Sequence, residues 1–125
     1  MKKKLKPKRT RTKILKKKCW ELFSQKIRER DSFRCFTCGA ILDKYTSQAG
    51  HFKHNRLDFD EINVNCQCVK CNKWKHGNLG EYAIRLIKKY GIEVVDDLTL
   101  RANQHIGYTL EELEVIYDKL KEEQC

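Results

Sequence analysis

The chain has no apolar run of membrane-spanning length. Behind the lysines that follow Met1 there is no apolar segment, so nothing reads as a secretory signal. No segment repeats, and its two short cysteine motifs are not copies of a larger unit. Residues 2–18 contain no acid. These absences argue against a membrane protein, a secreted disulfide scaffold and a repeat array. A reducing cytoplasm is the expected setting.

What is present is charge and cysteine. Charged residues make up 35% of the 125, which is high for a globule, so the core should be small and helped by a metal staple. The net charge of +10 is unevenly placed, with eleven Lys or Arg in residues 2–18. Residues 19–80 carry +3 and residues 81–125 carry −4. A dense basic arm is the electrostatic mark of a polyanion binder, with Lys8, Arg9 and Arg11 as phosphate contacts. It lacks the apolar face of a membrane-surface helix.

The pattern predicts one α+β domain with extensions. Residues 1–13 read as a disordered basic arm. Residues 14–30 read as an N-terminal helix, with Leu15, Cys19, Leu22, Phe23 and Ile27 at helical spacing. Residues 31–80 hold the cysteine motifs, and residues 81–125 form a helical region. Within 31–80, strands are expected at Ile41–Tyr45 and Ile62–Cys66, with a polar loop over 46–60 that contains His51. A short helix is expected from the second cysteine motif through Lys75, ended by Gly77. In the last region Tyr82, Ile84, Leu86 and Ile87 should face inward, with Gly91 as the stop. A short helix is expected over 94–100. Thr109 and Glu112 form a capping box that opens a final helix, with Leu110, Leu113, Val115, Ile116 and Leu120 as its apolar stripe.

Cys35-Phe-Thr-Cys38 and Cys68-Val-Lys-Cys71 are paired knuckles separated by 29 residues. Each C-x-x-C brings two sulfurs to one metal, and two such pairs make a closed tetrahedral site for structural Zn²⁺. Cys66 is too close to Cys68 to replace either member. Cys19, Cys66 and Cys125 are read as ordinary thiols. A lone histidine and asparagine are superfluous for a zinc clip, and here they suggest hydrolysis. His51 is a candidate general base, because neutral imidazole can take a proton from water near pH 7. Asn72 directly follows Cys71 and offers a hard oxygen to a catalytic Mg²⁺ or Mn²⁺. In the pattern of HNH (His-Me finger) nucleases, which this arrangement resembles, a middle Asn orients the histidine, and Asn63 falls at that place. Lys53, Arg56, Lys70, Lys73 and Lys75 are candidate DNA contacts.

A hairpin and helix clipped by zinc resemble the ββα-metal core of HNH (His-Me finger) nucleases. Ala49-Gly50-His51-Phe52, Asn63, Gln67 through Asn72, Gly77-Asn78-Leu79 and Tyr82 closely resemble the NinG (Rap) recombination proteins of lambdoid phages. The resemblance covers roughly residues 31–120, and the site spacing is also similar to phage recombination endonuclease VII. It implies a structure-selective DNA endonuclease acting on branched recombination intermediates such as Holliday junctions and D-loops. It also implies a phage protein working in the cytoplasm of a bacterial host, beside other recombination proteins. A homodimer would match the two-fold symmetry of a junction. Many HNH enzymes place Asp before the histidine as a second metal ligand. Gly50 stands there instead, which leaves Asp60 or Glu61 as candidates, with Asp58 also nearby. The rival readings are a non-catalytic zinc module that binds nucleic acid, and an HNH nicking endonuclease without junction preference.

Overall fold

The computed structural model describes residues 4–124. Its elements are α1 (Lys8–Arg30), β1 (Ser47–His51), β2 (Val64–Cys68), a π-helical turn (Lys70–Trp74), α2 (Leu79–Tyr90), α3 (Val94–Gln104) and α4 (Leu110–Glu123). The chain forms two compact units. One comprises Met1–Phe23 and Ile106–Cys125, the other Ser24–His105.

In the first unit, α1 begins at Lys8, six residues before the expected start at Ile14. Charge repulsion was expected to keep this stretch disordered. It is relieved instead by an ion pair, Lys8 Nζ to Glu111 Oε1 at 2.9 Å. Local bonds add to this, as the Thr12 hydroxyl donates to the Lys8 carbonyl at 2.7 Å. Residues 1–3 of the arm and Cys125 lie outside the described residues. Cys19 is fully buried, and its thiol lies 3.5 Å from the Leu113 carbonyl. Burial pushes that thiol's pKa up, as expected of an inert core cysteine. The Thr109–Glu112 capping box forms in both directions at the start of α4. Leu110, Leu113 and Leu120 are buried, whereas Val115 is 69% exposed and so falls outside the stripe.

In the second unit, β1 and β2 pair antiparallel, with Ser47 opposite Cys68 and His51 opposite Val64. The first strand is therefore not Ile41–Tyr45. That segment is a turn: the Asp43 carboxylate accepts from the Tyr45 and Thr46 amides at 2.8 and 2.9 Å, which bends the chain away from extension. These bonds also hold the Asp43 carboxyl below its usual pKa range. The second strand lies two residues later than Ile62–Cys66. α2 ends at Gly91, whose φ of 102° favours glycine. Tyr82 and Leu86 of α2 pack with Phe52, Leu57, Val94, Leu98 and Ala102, while Ile84 is 47% exposed rather than inward.

Candidate functional site

The four sulfurs of Cys35, Cys38, Cys68 and Cys71 lie within 4.8 Å of one another. The Cys38 and Cys68 sulfurs are 3.8 Å apart. That matches the edge of a tetrahedron with Zn–S bonds of about 2.3 Å. The surroundings suit thiolates. The Cys71 amide donates to Cys68 Sγ at 3.4 Å, and the Asn78 side-chain amide donates to Cys71 Sγ at 3.6 Å. Burial works against ionisation of Cys35. The Thr37 hydroxyl and the neighbouring Cys38, Cys68 and Thr37 backbones outweigh it and hold that thiol down to about 6. Burial and the adjacent cysteines push Cys38 up to about 12. The donor set therefore fits a structural metal such as zinc. Cys66 is not part of the cluster, and burial pushes its thiol up to about 12.

The hairpin carries the other candidates, and His51 is the last residue of β1. It is thus in a strand rather than a loop. Its Nε2 lies 3.1 Å from Asp58 Oδ1, and its ring centroid is 6.1 Å from that of His54. On the preceding residue, Gly50, a Cβ would stand 1.8 Å from Gln67 Oε1 and 2.9 Å from Asn72 Oδ1. Asn72 is oriented by its amide, which donates to Gln48 Oε1 at 2.8 Å. Gln67 is fully buried, and its amide donates to Thr37 Oγ1 at 3.1 Å and to the Gly77 carbonyl at 2.9 Å. Its Oε1 is buried without a hydrogen-bond partner among the described residues. Two side-chain carbonyl oxygens thus meet at the position that lacks a side chain.

Asn63 bonds the loop that follows β1. Its Oδ1 accepts from the Lys53 amide at 2.8 Å, and its Nδ2 lies 3.2 Å from the carbonyls of Lys53, Arg56 and Leu57. It clamps the loop that delivers Asp58. Asp60 and Glu61 are engaged elsewhere. Asp60 accepts from the Ile62 and Asn63 amides at 2.9 Å each and pairs with Arg101. Glu61 pairs with Lys26 at 2.8 Å. A carboxylate at a chain reversal caps the following amides, and the Asp60 carboxylate does so here. Tyr82 braces the strand end: its hydroxyl donates to the Gly50 carbonyl at 2.8 Å and receives the Asn65 amide at 3.0 Å. Burial drives its pKa upward, so the donor proton is retained.

Lys70, Lys73 and Lys75 are exposed around the π-helical turn, and Trp74 between them is 78% exposed. Lys53 lies over the Phe52 ring at 5.4 Å. Arg56 donates to the His105 carbonyl at 2.7 Å. Sequence reasoning did not single out Gln48, Gln67 or Trp74. For Trp74 the signal was present, since an aromatic between two lysines suits nucleic acid.

Fold and site define a small α+β protein in which four cysteines stand close enough to hold one structural metal. The chain belongs to the NinG family: it matches the family described as Bacteriophage Lambda NinG protein over residues 1–124. Protein ninG of Escherichia phage 933W is 39% identical over 101 residues, covering 77% of this chain and 49% of that protein. Protein ninG of Escherichia phage lambda is 39% identical over 95 residues, covering 72% and 46% respectively. The same figures hold for Protein ninG of Salmonella phage P22. The chain spans about half the length of the curated relatives it matches. No solved structure matches. Among the described residues, no helix is long and apolar enough to cross a membrane.

Proposed function

We propose that this chain is a metal-dependent DNA endonuclease with an HNH type of site, acting on branched recombination intermediates. One observation carries the reading: polar side chains crowd the end of β1, with Asn72 and Gln67 at Gly50 and Asp58 at the adjacent His51. The Asp58 carboxylate, 3.1 Å from Nε2, would stabilise the imidazolium that forms when the ring takes a proton from water at Nδ1. Consecutive strand residues face opposite ways. A phosphate shared by His51 and Asn72 would have to lie over the strand end, where Gly50 presents no side chain. Asn72 Oδ1 and Gln67 Oε1 would hold Mg²⁺ or Mn²⁺, which supplies positive charge at the phosphate and the leaving oxygen. Because both donors are neutral, the protein alone would hold such an ion weakly. Lys70, Lys73, Lys75 and Trp74 form the adjoining DNA face, with the cations on phosphate and the indole against an unpaired base. A homodimer would place two sites on a two-fold symmetric junction. Partner recombination proteins would recruit it in the phage-infected cell.

The test is cleavage of a four-way junction and a matched linear duplex, with and without Mg²⁺. His51→Ala should bind DNA as the parent does and cut about 10²–10⁴-fold more slowly. Asp58→Asn should retain binding and lose cutting to a smaller degree. If His51→Ala cuts as fast as the parent, the reading fails, and a zinc module that binds nucleic acid through its cations is the better account. Equal cutting of junction and duplex points to a nicking enzyme without branch preference.

A further inference from the structure

On the second unit, the first knuckle and the last turns of α2 enclose a cavity of about 430 Å³. Arg34, Arg85, Lys88 and Lys89 line it, with Phe36 and Asp31. None of these belongs to the hairpin site or to the lysines around Trp74. Asp31 does not neutralise the cavity, because Arg30 already holds its two carboxylate oxygens at 2.8 and 3.0 Å. Arg85 shares its charge with Glu81 at 2.9 Å. Arg34, Lys88 and Lys89 pair with no carboxylate among the described residues, and all three are exposed. Lys89 Nζ stands 5.9 Å from the centre of the Phe36 ring.

Lysines in the last turn of a helix favour the negative end of its dipole, which would account for Lys88 and Lys89 alone. It does not account for Arg34, which comes from a different element and faces the same cavity. Cys35 also lines the cavity, and its thiolate offsets part of this charge, but three cations still leave a net positive wall that an anion would relieve. The volume suits a nucleotide-sized group. Phe36 packs on Tyr82 with ring centroids 5.3 Å apart, and the Tyr82 hydroxyl holds the Gly50 carbonyl. The cavity is therefore separated from the hairpin site by one aromatic layer.

We propose that this cavity is a second phosphate grip: it binds the phosphodiester backbone of a DNA segment other than the one presented to His51. Identifying the anion as DNA rests on the function proposed above. Arg34 and the two lysines take phosphate oxygens, and Phe36 carries the sugar or base edge. The two grips flank the Tyr82 layer, so one protein engages two stretches of backbone.

The test uses the full chain without added divalent ion, so that binding is read apart from cutting. The combined variant Arg34→Gln, Lys88→Gln, Lys89→Gln should lower the slope of log affinity against log salt by about two to three, about 0.9 for each phosphate contact removed. Lysine acetylation followed by mass spectrometry gives a local readout. A saturating four-way junction should slow modification of Lys88 and Lys89 several-fold and leave Lys119 of α4 unchanged. If DNA binds but the slope and the acetylation of Lys88 and Lys89 are unaltered, the second grip is overturned while the nuclease reading stands. If no DNA binds at all, both fall.

Discussion

Position 50 accepts nothing larger than hydrogen without rearrangement. Gln67, whose Oε1 would be struck, cannot swing away freely, because it is buried and its amide holds Thr37 and the Gly77 carbonyl. Gly50→Ala is therefore expected to destabilise the protein by about 1–3 kcal/mol through overpacking. It should also reduce cutting, since Asn72 must move too. Gly80→Ala is the matched control: a Cβ there meets nothing within 4 Å on a helical residue. It should stabilise by about 0.5–1 kcal/mol. Thermal melting of the two variants checks both signs, and equal midpoints would show that Gln67 is not wedged. A bare reading of Gly50 as the missing ligand position identified the place where something is absent. It could not identify Gln67 as what fills the space, because that depends on the register that sets Gln48 opposite Gln67.

At the scale of elements, the cysteine cluster joins the first knuckle to the end of the hairpin. The metal-free unit has one thiol already poised, since Cys35 sits at about 6 and is ionised at neutral pH. Cys38 at about 12 and Cys68, raised mainly by burial, still carry their protons there. Zinc takes thiolates, so uptake must release at least those two protons, and affinity should fall by at least about a hundredfold for each unit of pH lowered. Below about pH 6 protonation of Cys35 steepens the loss. A competitor titration between pH 6 and 8 reads this slope, and a pH-independent affinity would contradict it. Stripping zinc should abolish the cooperative melting of residues 24–105, whereas removing Mg²⁺ should not. The knuckles, the Gly91 stop and the Thr109 capping box were legible because each is a short local pattern with a fixed chemistry. The strand Ser47–His51 was not, because Ser-Gln-Ala-Gly-His lacks the β-branched and aromatic residues that mark strands. It is extended because Val64–Cys68 pairs with it. The more apolar Ile41–Tyr45 lost its strand to the Asp43 turn. The His51–Asp58 contact was equally out of reach, because it needs a loop shaped by the Asn63 amide ten residues downstream of Lys53.

For the whole molecule, the distribution of charge determines how a polyanion is met. The net charge of +10 resides mostly in α1 and the residues before it, but not every cation there is available. Lys8 is paired with Glu111, and the Arg11 guanidinium donates to the Lys6 carbonyl at 3.1 Å. Arg9, Lys13 and Lys17 are exposed, lie four residues apart on one face of the helix, and pair with no carboxylate among the described residues. Being helical from Lys8 onward, they form a fixed row rather than a loose tail, so their loss should have a countable effect. Arg9→Gln, Lys13→Gln, Lys17→Gln should lower the salt slope of DNA binding by about 0.9 for each phosphate they neutralise. Lys8→Gln should change it little, since that charge is already answered. The comparison is made by fluorescence anisotropy between 50 and 200 mM salt, about the range over which several phosphate contacts weaken binding a thousandfold. If the triple variant keeps the parent's slope, α1 contributes net charge but no contact, and DNA is held by the hairpin unit alone.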